Sequence, residues 1–222
     1  MMSSTKYQTK KNPVNPKNEV PIDISSMDKS ALKQQNVLEV YDKIAEKFDK
    51  TRTYLWPTVK QFLENIPQHY MMLEVGVGNG RNLDGTNCYC VGIDVCQKFL
   101  QMSKPKGEMA RADQALLPFR SEMFDVVISI AVFHHLPTVE ERQQCAKDMM
   151  RVLRKGGKLF LQNFEKMGEQ TSDIFLKWKN PDKQVFNRYY HRFEVEELQR
   201  YFQGYEMSVE HEANNVILII TK

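Results

Sequence analysis

The sequence of 222 residues has no long apolar run, few cysteines and little excess of either charge. A membrane-spanning helix needs about 20 consecutive apolar residues. Neither such a stretch nor a signal-peptide core is present. None of the four cysteines forms a C-x-x-C pair, which argues against a zinc site and indicates a reducing compartment. The net charge of +3 neither requires nor excludes nucleic acid. We expect an intracellular protein of the cytoplasm, with the nucleus as a second location.

The chain divides at about residue 33. Residues 1–33 are polar, contain several lysines and prolines and lack apolar periodicity, so we predict a disordered basic leader. Such a leader is able to touch RNA, although a merely solvated segment explains it equally well. Residues 34–222 are long enough for one α/β domain, without an internal repeat or a second domain. Apolar residues at helical spacing predict a helix over 34–48, and Pro57 favours the start of another.

A glycine-rich turn between two apolar strands is the central motif of the sequence. The strand 71–75 is followed by Gly76, Gly78 and Gly80, and the second strand ends at Asp94. Glycines allow positive φ angles and a close approach of ligand to backbone. A carboxylate at the end of the following strand is where open α/β sheets bind the hydroxyl groups of a ribose. The motif therefore predicts a nucleoside-containing cofactor.

The spacing of this motif differs from that of a dinucleotide site. The last small residue of a G-x-G-x-x-G/A fingerprint is replaced here by Arg81, and Glu74 precedes the loop. An acid at this place disfavours a pyrophosphate and favours a cationic amino-acid tail. The pattern E-x-G-x-G-x-G resembles the cofactor loop of class I S-adenosylmethionine-dependent methyltransferases.

Further strands predict the rest of the sheet. The strand 108–112 ends at Asp113, which is placed to reach an adenine amino group, and the apolar run from Phe124 ends in His134 and His135. A helix with a Thr138–Glu141 capping box follows. We further predict a strand over 158–164, a helix over 194–202 and a hairpin of 204–212 with 215–221. We expect an α/β, Rossmann-like class I methyltransferase fold, with a mostly parallel seven-stranded sheet and a C-terminal antiparallel hairpin.

Three longer motifs resemble one methyltransferase family. They are Val40-Tyr41-x-x-Ile44-Ala45-x-x-Phe48-x-x-Thr51-Arg52-x-x-x-Trp56-Pro57, then Ser129-Ile-Ala-Val-x-His134-His135, and Arg188-Tyr189-Tyr190-His191-x-Phe193-x-x-x-Glu197-Leu198. Together they are similar to the eukaryotic tRNA wobble-uridine carboxymethyl methyltransferases, over residues 37–222. Glu74 and Val77 stand where many relatives carry an aspartate and a cysteine, and both changes preserve the chemistry.

The resemblance implies methyl transfer from S-adenosylmethionine to the carboxylate of 5-carboxymethyluridine in a tRNA anticodon. It also implies a small zinc-binding activator subunit, docked on the edge strand 108–112. The expected cofactor residues are Glu74, Gly76, Gly78, Gly80, Asp94, Val95, Ala112, Asp113, Gln114 and Ile130. The expected catalytic residues are Arg52, His134 and His135, with one of the two histidines facing the substrate. The expected substrate and RNA contacts are Trp56, Arg188, Tyr189, Tyr190 and His191.

Several alternatives stay open from the residues themselves. Taken alone, Arg52 and Trp56 fit an exposed arginine and a core tryptophan better than an anion and ring site. The segment 165–184 is polar and weakly patterned, and basic and aromatic residues interleave after it. The same fold also serves enzymes that methylate small metabolites. A non-catalytic RNA-binding scaffold is a further alternative, against which the intact glycine loop argues.

Overall fold

The computed structural model describes residues 18–51 and 54–222. Its strands are β1 (Glu19–Pro21), β2 (Met71–Val75), β3 (Tyr89–Asp94), β4 (Glu108–Arg111), β5 (Phe124–Ile130), β6 (Leu153–Phe164), β7 (Asp173–Lys179), β8 (Val185–His191), β9 (Glu206–Glu212) and β10 (Asn215–Thr221). Its helices are α1 (Lys29–Lys33), α2 (Glu39–Asp49), α3 (Pro57–Glu64), α4 (Gln97–Ser103), α5 (Val139–Val152) and α6 (Val195–Arg200).

Seven of these strands form the larger sheet, in the order β4-β3-β2-β5-β6-β10-β9. The first five are parallel, whereas β10 runs antiparallel to both β6 and β9. Strand β5 is buried at every position except Asp125, as expected for a strand covered by helices on both faces. The predicted α/β fold with its C-terminal hairpin is therefore confirmed, and β4 lies at one edge of the sheet.

Helices on both faces of the sheet complete the core. One face packs on α5 and α6 through residues such as Leu73, Val127 and Met149, and the other packs on α3 and α4 through Met72, Ile128 and Leu63. Thr138 caps α5 by accepting a hydrogen bond from the backbone nitrogen of Glu141 at 3.1 Å. The capping pattern that predicted this helix is thus confirmed.

A second, three-stranded sheet in the order β1-β7-β8 was not predicted. Strands β7 and β8 form a hairpin, and β1 pairs with β7 from Glu19↔Leu176 to Pro21↔Ile174. The segment 165–184 is therefore more regular than its polar composition indicates. Ile174, Leu176 and Trp178 alternate with Lys177 and Lys179, a period of two that fits a half-buried strand.

The N-terminal helix begins earlier than the sequence analysis predicted. Asp28 caps α1 by accepting hydrogen bonds from the backbone nitrogens of Ser30 and Ala31, and a π-helical segment, Gln34–Leu38, joins α1 to α2. Leu32 and Val37 pack against Tyr189 of β8. Residues 18–33, assigned to the disordered leader, thus contain a strand and a helix that pack on the domain, so the boundary at residue 33 is wrong for that part. Residues 1–17 lie outside the described residues.

Candidate active site

The glycine loop that follows β2 has the backbone that its sequence predicts. Gly76, Gly78 and Gly80 have φ angles of 75°, 53° and 71°, in the left-handed region that favours glycine. A Cβ atom added at Gly76 would lie 2.3 Å from Cγ2 of Val132, whereas a Cβ at Gly78 would meet nothing within 4 Å. The loop is therefore packed from behind at Gly76 and open to a ligand at Gly78.

Glu74 is buried behind this loop with one unsatisfied oxygen. Its Oε1 accepts a hydrogen bond from Nδ2 of Asn82 at 2.5 Å, whereas Oε2 has no hydrogen-bond partner among the described residues. Burial raises the pKa of the Glu74 carboxyl group to about 8, because the charged form is poorly solvated there. A buried acceptor without a partner fits a cationic ammonium group, or a water that such a group holds.

Asp94 and Asp113 lie at the carboxyl ends of neighbouring strands, as predicted. Oδ2 of Asp94 accepts the N–H of Gly78 at 2.9 Å, and Oδ1 accepts the N–H of Cys96 at 2.9 Å. Asp113 accepts the N–H of Ala115 at 2.9 Å and forms a salt bridge of 2.9 Å with Lys33. The two acids thus hold the glycine loop and the first helix around one space at the edge of the sheet.

The other expected cofactor residues surround this space. The N–H of Ala112 donates to the carbonyl of Asp94 at 3.2 Å, and the carbonyl of Val95 accepts from Nε of Arg111 at 3.0 Å. Nε2 of Gln114 donates to the carbonyl of Val132 at 3.1 Å. Ile130 is buried at the end of β5. The open glycine loop, the two acids and the unsatisfied Glu74 oxygen together fit S-adenosylmethionine.

His135 belongs to a chain of hydrogen bonds with two tyrosines. Its Nδ1 lies 2.8 Å from the carbonyl oxygen of Tyr189, and its Nε2 lies 3.0 Å from the hydroxyl of Tyr41, which lies 3.0 Å from that of Tyr190. A carbonyl only accepts, so Nδ1 carries the proton of the neutral ring. Nε2 then accepts from Tyr41. Burial lowers the pKa of His135 to about 3.

His134 is enclosed by rings rather than by hydrogen-bonding groups. Neither ring nitrogen has a hydrogen-bond partner among the described residues, and the rings of His135, Phe164 and Tyr190 lie 4.6, 5.0 and 4.5 Å away between centroids. Burial, with the nearby imidazole and guanidinium groups, holds the pKa of His134 well below its usual range. Both histidines are therefore neutral at pH 7, and His134 is the more completely buried.

The cluster of residues 188–191 is divided by the strand that carries it. Arg188 and Tyr190 point to one face of β8, where Nη1 of Arg188 donates to the hydroxyl of Tyr190 at 2.7 Å. Tyr189 and His191 point to the other face, where both contact Asp173, at 2.5 and 2.9 Å. The structure therefore brings Arg188 and Tyr190 to the histidines and places Tyr189 and His191 in a separate buried network.

The remaining expected residues come from the helix pair before β2. Trp56 is half-buried and packs against the core of α3 and β2, the environment of a core tryptophan. Arg52 lies outside the described residues. The structure adds residues that the sequence analysis assigned no role in the site: Tyr41, Phe48, Lys33 and Trp178. Tyr41 and Phe48 were predicted as apolar positions of a helix and as part of the first family motif. The ring of Trp178 lies 6.4 Å from that of Phe48, and the alternation along 174–179 was the signal for it.

The exposed edge of β4 carries a separate apolar groove of about 440 Å³. The groove is lined by Met71, Tyr89, Val91, Glu108, Met109, Ala110, Phe119 and Met123. Within residues 18–51 and 54–222, no group of three or more His, Cys, Asp or Glu side chains is arranged to hold a metal ion. No helix in the same part of the chain is both long and apolar enough to cross a membrane.

Comparison with known proteins gives the class first. The sequence model of a family described as "Methyltransferase domain" matches residues 73–161. The structure is similar to DhpI in its complex with SAM and HEP, with a TM-score of 0.69 at 15% identity, over 86% of this chain and 98% of that one. It is also similar to a Haloferax volcanii putative methyltransferase in complex with the Trm112 activator, with a TM-score of 0.64 at 14% identity, over 83% and 96%. The chain has the fold of the SAM-dependent methyltransferases, and its cofactor is S-adenosylmethionine.

Sequence relatives then give the family. A tRNA (carboxymethyluridine(34)-5-O)-methyltransferase of Schizosaccharomyces pombe is 32% identical over 193 residues, which cover 73% of this chain and 84% of that protein. The Arabidopsis thaliana protein of the same name is 36% identical over 149 residues, covering 66% of this chain but only 37% of the longer relative. The chain belongs to the family of tRNA (carboxymethyluridine(34)-5-O)-methyltransferases.

Proposed function

We propose that this chain transfers the methyl group of S-adenosylmethionine to the carboxylate of 5-carboxymethyluridine at the wobble position of tRNA, forming the methyl ester. The names of its relatives in two organisms support this substrate. The bound cofactor supplies a methyl group that its sulfonium has already activated. The work left to the chain is to hold a nucleophile in line with that methyl group and to exclude water.

The poor ability of both buried histidines to accept a proton carries the proposal. Methylation of an amine or a hydroxyl requires removal of a proton, and a histidine is the commonest group to accept it. Here the lone pair of His135 is occupied by the Tyr41 hydroxyl, and burial lowers the pKa of both imidazoles, so each is a weak proton acceptor. A carboxylate is already ionised at neutral pH and needs no base. The arrangement therefore favours an acid as the methyl acceptor.

The roles of the chain's residues follow from their positions. Asp94 and Asp113 bind the nucleoside of the cofactor, and Glu74 binds its cationic end. His135, whose two ring nitrogens are held by the Tyr41 hydroxyl and the carbonyl of Tyr189, fixes the Tyr41 and Tyr190 hydroxyls at the substrate side of the cofactor site. His134 packs beneath it. Arg52 is proposed to contact the substrate on the strength of the family motif alone.

The edge of β4 is the proposed docking site for an activator subunit. An uncovered edge strand offers unpaired backbone groups for strand addition, and the apolar groove beside it offers a surface to cover. The archaeal structural neighbour is a complex with the activator Trm112. We propose that a small activator of this kind, with a zinc site of its own, pairs with residues 108–111. Substitution of Met109 by Lys on this edge should then prevent co-purification.

The decisive assay uses labelled S-adenosylmethionine and tRNA from cells that lack the wobble methyl ester. The full chain is tested with and without co-expressed activator, and the product is treated with mild alkali. Label that alkali removes identifies a methyl ester and supports the proposal. Alkali-stable label indicates methylation at another kind of atom. Absence of label, despite measured cofactor binding and the presence of the activator, favours a small-molecule acceptor.

The pH dependence of the same assay tests the argument from the histidines. At saturating cofactor, the rate should stay constant within about twofold from pH 6 to pH 8.5, because no base has to lose a proton in that range. A tenfold rise of rate per pH unit would contradict a preformed anionic acceptor. We further propose that the protein acts where mature tRNA is found, in the cytoplasm and also in the nucleus.

A further inference from the structure

Arg188 is a buried cation without a carboxylate partner. Three arginines of the described residues are at least nine-tenths buried, Arg142, Arg188 and Arg192. Arg142 lies 3.9 Å from Glu197 and Arg192 lies 3.1 Å from Glu19. No such pair includes Arg188 in the part of the chain that the structure describes, although all of the chain's Asp and Glu residues lie there.

The surroundings of Arg188 are uncharged. Its guanidinium carbon lies 5.3 Å from the ring centre of Phe48 and 5.2 Å from that of Tyr190, and Nη1 donates to the Tyr190 hydroxyl. Its Nε is buried and has no hydrogen-bond partner among the described residues. Burial raises the pKa of the nearby Tyr41 hydroxyl, so Tyr41 supplies no negative charge. A buried charge is ordinarily paired and hydrogen-bonded, since leaving it alone is unfavourable.

Contacts through the end of α2 connect Arg188 to the cofactor loop. Phe48, over which the guanidinium packs, is followed at the end of α2 by Asp49, and Oδ1 of Asp49 accepts a hydrogen bond from Nδ2 of Asn79 at 2.6 Å. Asn79 stands between Gly78 and Gly80. Tyr190 connects Arg188 to His135 through Tyr41. The unpaired cation therefore belongs to the same end of the molecule as the methyl donor.

We propose that Arg188 is the receptor for the substrate's carboxylate, and that its pairing with this anion lets the protein distinguish the acid from its methyl ester product. This inference rests on the proposed function. The missing partner is then an external anion, which the guanidinium binds through Nε and a second N–H group. Planar carboxylates match the fork of an arginine in this way.

The reaction removes the charge that Arg188 recognises. A carboxylate oxygen forms the new bond to the methyl carbon while the bond from that carbon to sulfur breaks, and its electron pair stays on sulfur. One negative and one positive charge disappear and no proton moves. The neutral ester is a weaker partner for a guanidinium than the carboxylate was. Substrate is thus held and product is released by the same side chain.

Binding measurements with matched RNA ligands test this inference. The full chain, saturated with S-adenosylhomocysteine so that no methyl transfer occurs, is titrated with anticodon stem-loops that carry 5-carboxymethyluridine, its methyl ester or plain uridine. The wild-type protein should bind the acid at least about tenfold more tightly than the ester, as expected for a hydrogen bond to a charged group. Arg188→Met and Arg188→Gln should bring this ratio close to one.

Lys155→Met is the matched control. Lys155 is exposed near Gly156, away from the carboxyl ends of the parallel strands, and its loss changes the net charge by the same amount. The Lys155→Met substitution should weaken the binding of all three RNAs equally or leave it unchanged. Retained binding of S-adenosylhomocysteine by the Arg188 variants shows that they are folded, and Arg188→Lys should restore part of the ratio.

Each other result overturns the inference. If Arg188→Met weakens the binding of all three RNAs alike and leaves the acid-to-ester affinity ratio unchanged, the guanidinium contacts phosphate. If the wild-type protein binds acid and ester equally while it forms ester in the labelled assay, the proposed function stands and the role of Arg188 is wrong. If it neither binds these RNAs nor labels them, both are wrong.

Discussion

The ammonium group of Lys33 lies 2.9 Å from Asp113 and 2.7 Å from Glu141. One lysine of the first helix thus forms ion pairs with two acids, and the first of these, Asp113, is expected to bind the adenine of the cofactor. Without Lys33 these acids repel each other, and Asp113 loses one of the groups that orient it.

We therefore expect Lys33→Met to weaken the binding of S-adenosylhomocysteine by about 2–5-fold, since a partly exposed ion pair contributes about 1 kcal/mol or somewhat less. Isothermal titration calorimetry measures this change. Lys43→Met is the control on α2, because Lys43 is exposed and pairs with Glu39 one turn away. Tighter binding in the Lys33 variant would mean that Lys33 competes with the cofactor instead of supporting its site.

His191 should make the stability of the protein depend on pH. Asp173 and Glu197 contact its two ring nitrogens at 2.9 and 3.1 Å, and hydrogen bonds to these acids raise its pKa against the opposing effect of burial. Because the pKa of His191 is higher in the folded chain than in the unfolded chain, the charged imidazole stabilises the fold fully at pH values below the unfolded-state pKa of about 6.5. This stabilisation is lost as the pH rises through the pKa that His191 has in the folded chain. The pKa values of both acids are lowered, so their own contribution is lost only as the pH falls below about 4.

His191→Gln should accordingly lower Tm by at least about 6 °C at pH 6, and by less at pH 8.5. Breaking a buried pair costs about 3–5 kcal/mol, and a chain of this size loses about 2–4 °C per kcal/mol. Thermal unfolding followed by circular dichroism between pH 5.5 and 9 tests this. His211→Gln is the control, because His211 pairs with Glu165 at a side-chain exposure of 53%. An equal loss at both pH values would show that the charge of the imidazole does not change between pH 6 and pH 8.5.

Glu74 should couple cofactor binding to the release of a proton. Its pKa is about 8 in the ligand-free chain, whereas a bound ammonium group favours the ionised carboxylate. The affinity for S-adenosylhomocysteine should then rise with pH, by up to about tenfold per unit below pH 8. Calorimetry in buffers of different ionisation enthalpy counts the protons. Glu74→Gln should flatten this dependence, and an unchanged slope in that variant would assign the proton to another group.

Two glycine substitutions separate folding from cofactor binding. Gly78→Ala meets no neighbouring atom but keeps a φ of 53°, which costs an alanine about 1–2 kcal/mol. It should lower Tm by only a few degrees and yet weaken cofactor binding at least tenfold. Gly76→Ala places its Cβ 2.3 Å from Val132 and should lose much more stability. Wild-type affinity in Gly78→Ala would show that the cofactor lies elsewhere.

Local patterns predicted the elements that local rules determine. The strand–glycine–strand–acid succession around Gly76 and Asp94 predicted the conformation of the glycine loop, and Thr138 with Glu141 predicted a helix start, because loop conformation and capping depend on a few adjacent residues. His134 and His135 were assigned to the candidate site because they follow β5, and ligands bind at the carboxyl ends of parallel strands.

The same local sequence patterns could not predict contacts between residues that are distant in the sequence. Nothing near Tyr41 indicates that its hydroxyl lies between His135 and Tyr190, because these residues meet only in the folded chain. The four residues 188–191 were assigned together to the substrate, although neighbours on a strand point to opposite faces. Recognition of β8 as a strand would have separated Arg188 and Tyr190 from Tyr189 and His191.

The pairing of β1 with β7 determines the order in which parts of the newly synthesised chain can fold, because β1 can pair only after β7 has been made. Glu19 pairs with Leu176, about 160 residues further along, and translation at about 5–20 residues per second takes about 8–30 s to cover that length. Throughout this interval β1 has no strand to pair with. Helix α2 gains its contacts with β8 only after a similar delay, so Phe48 and Arg188 meet late. The glycine loop and strands β2 to β5 are synthesised before β7 and β8, which complete the substrate side of the enzyme.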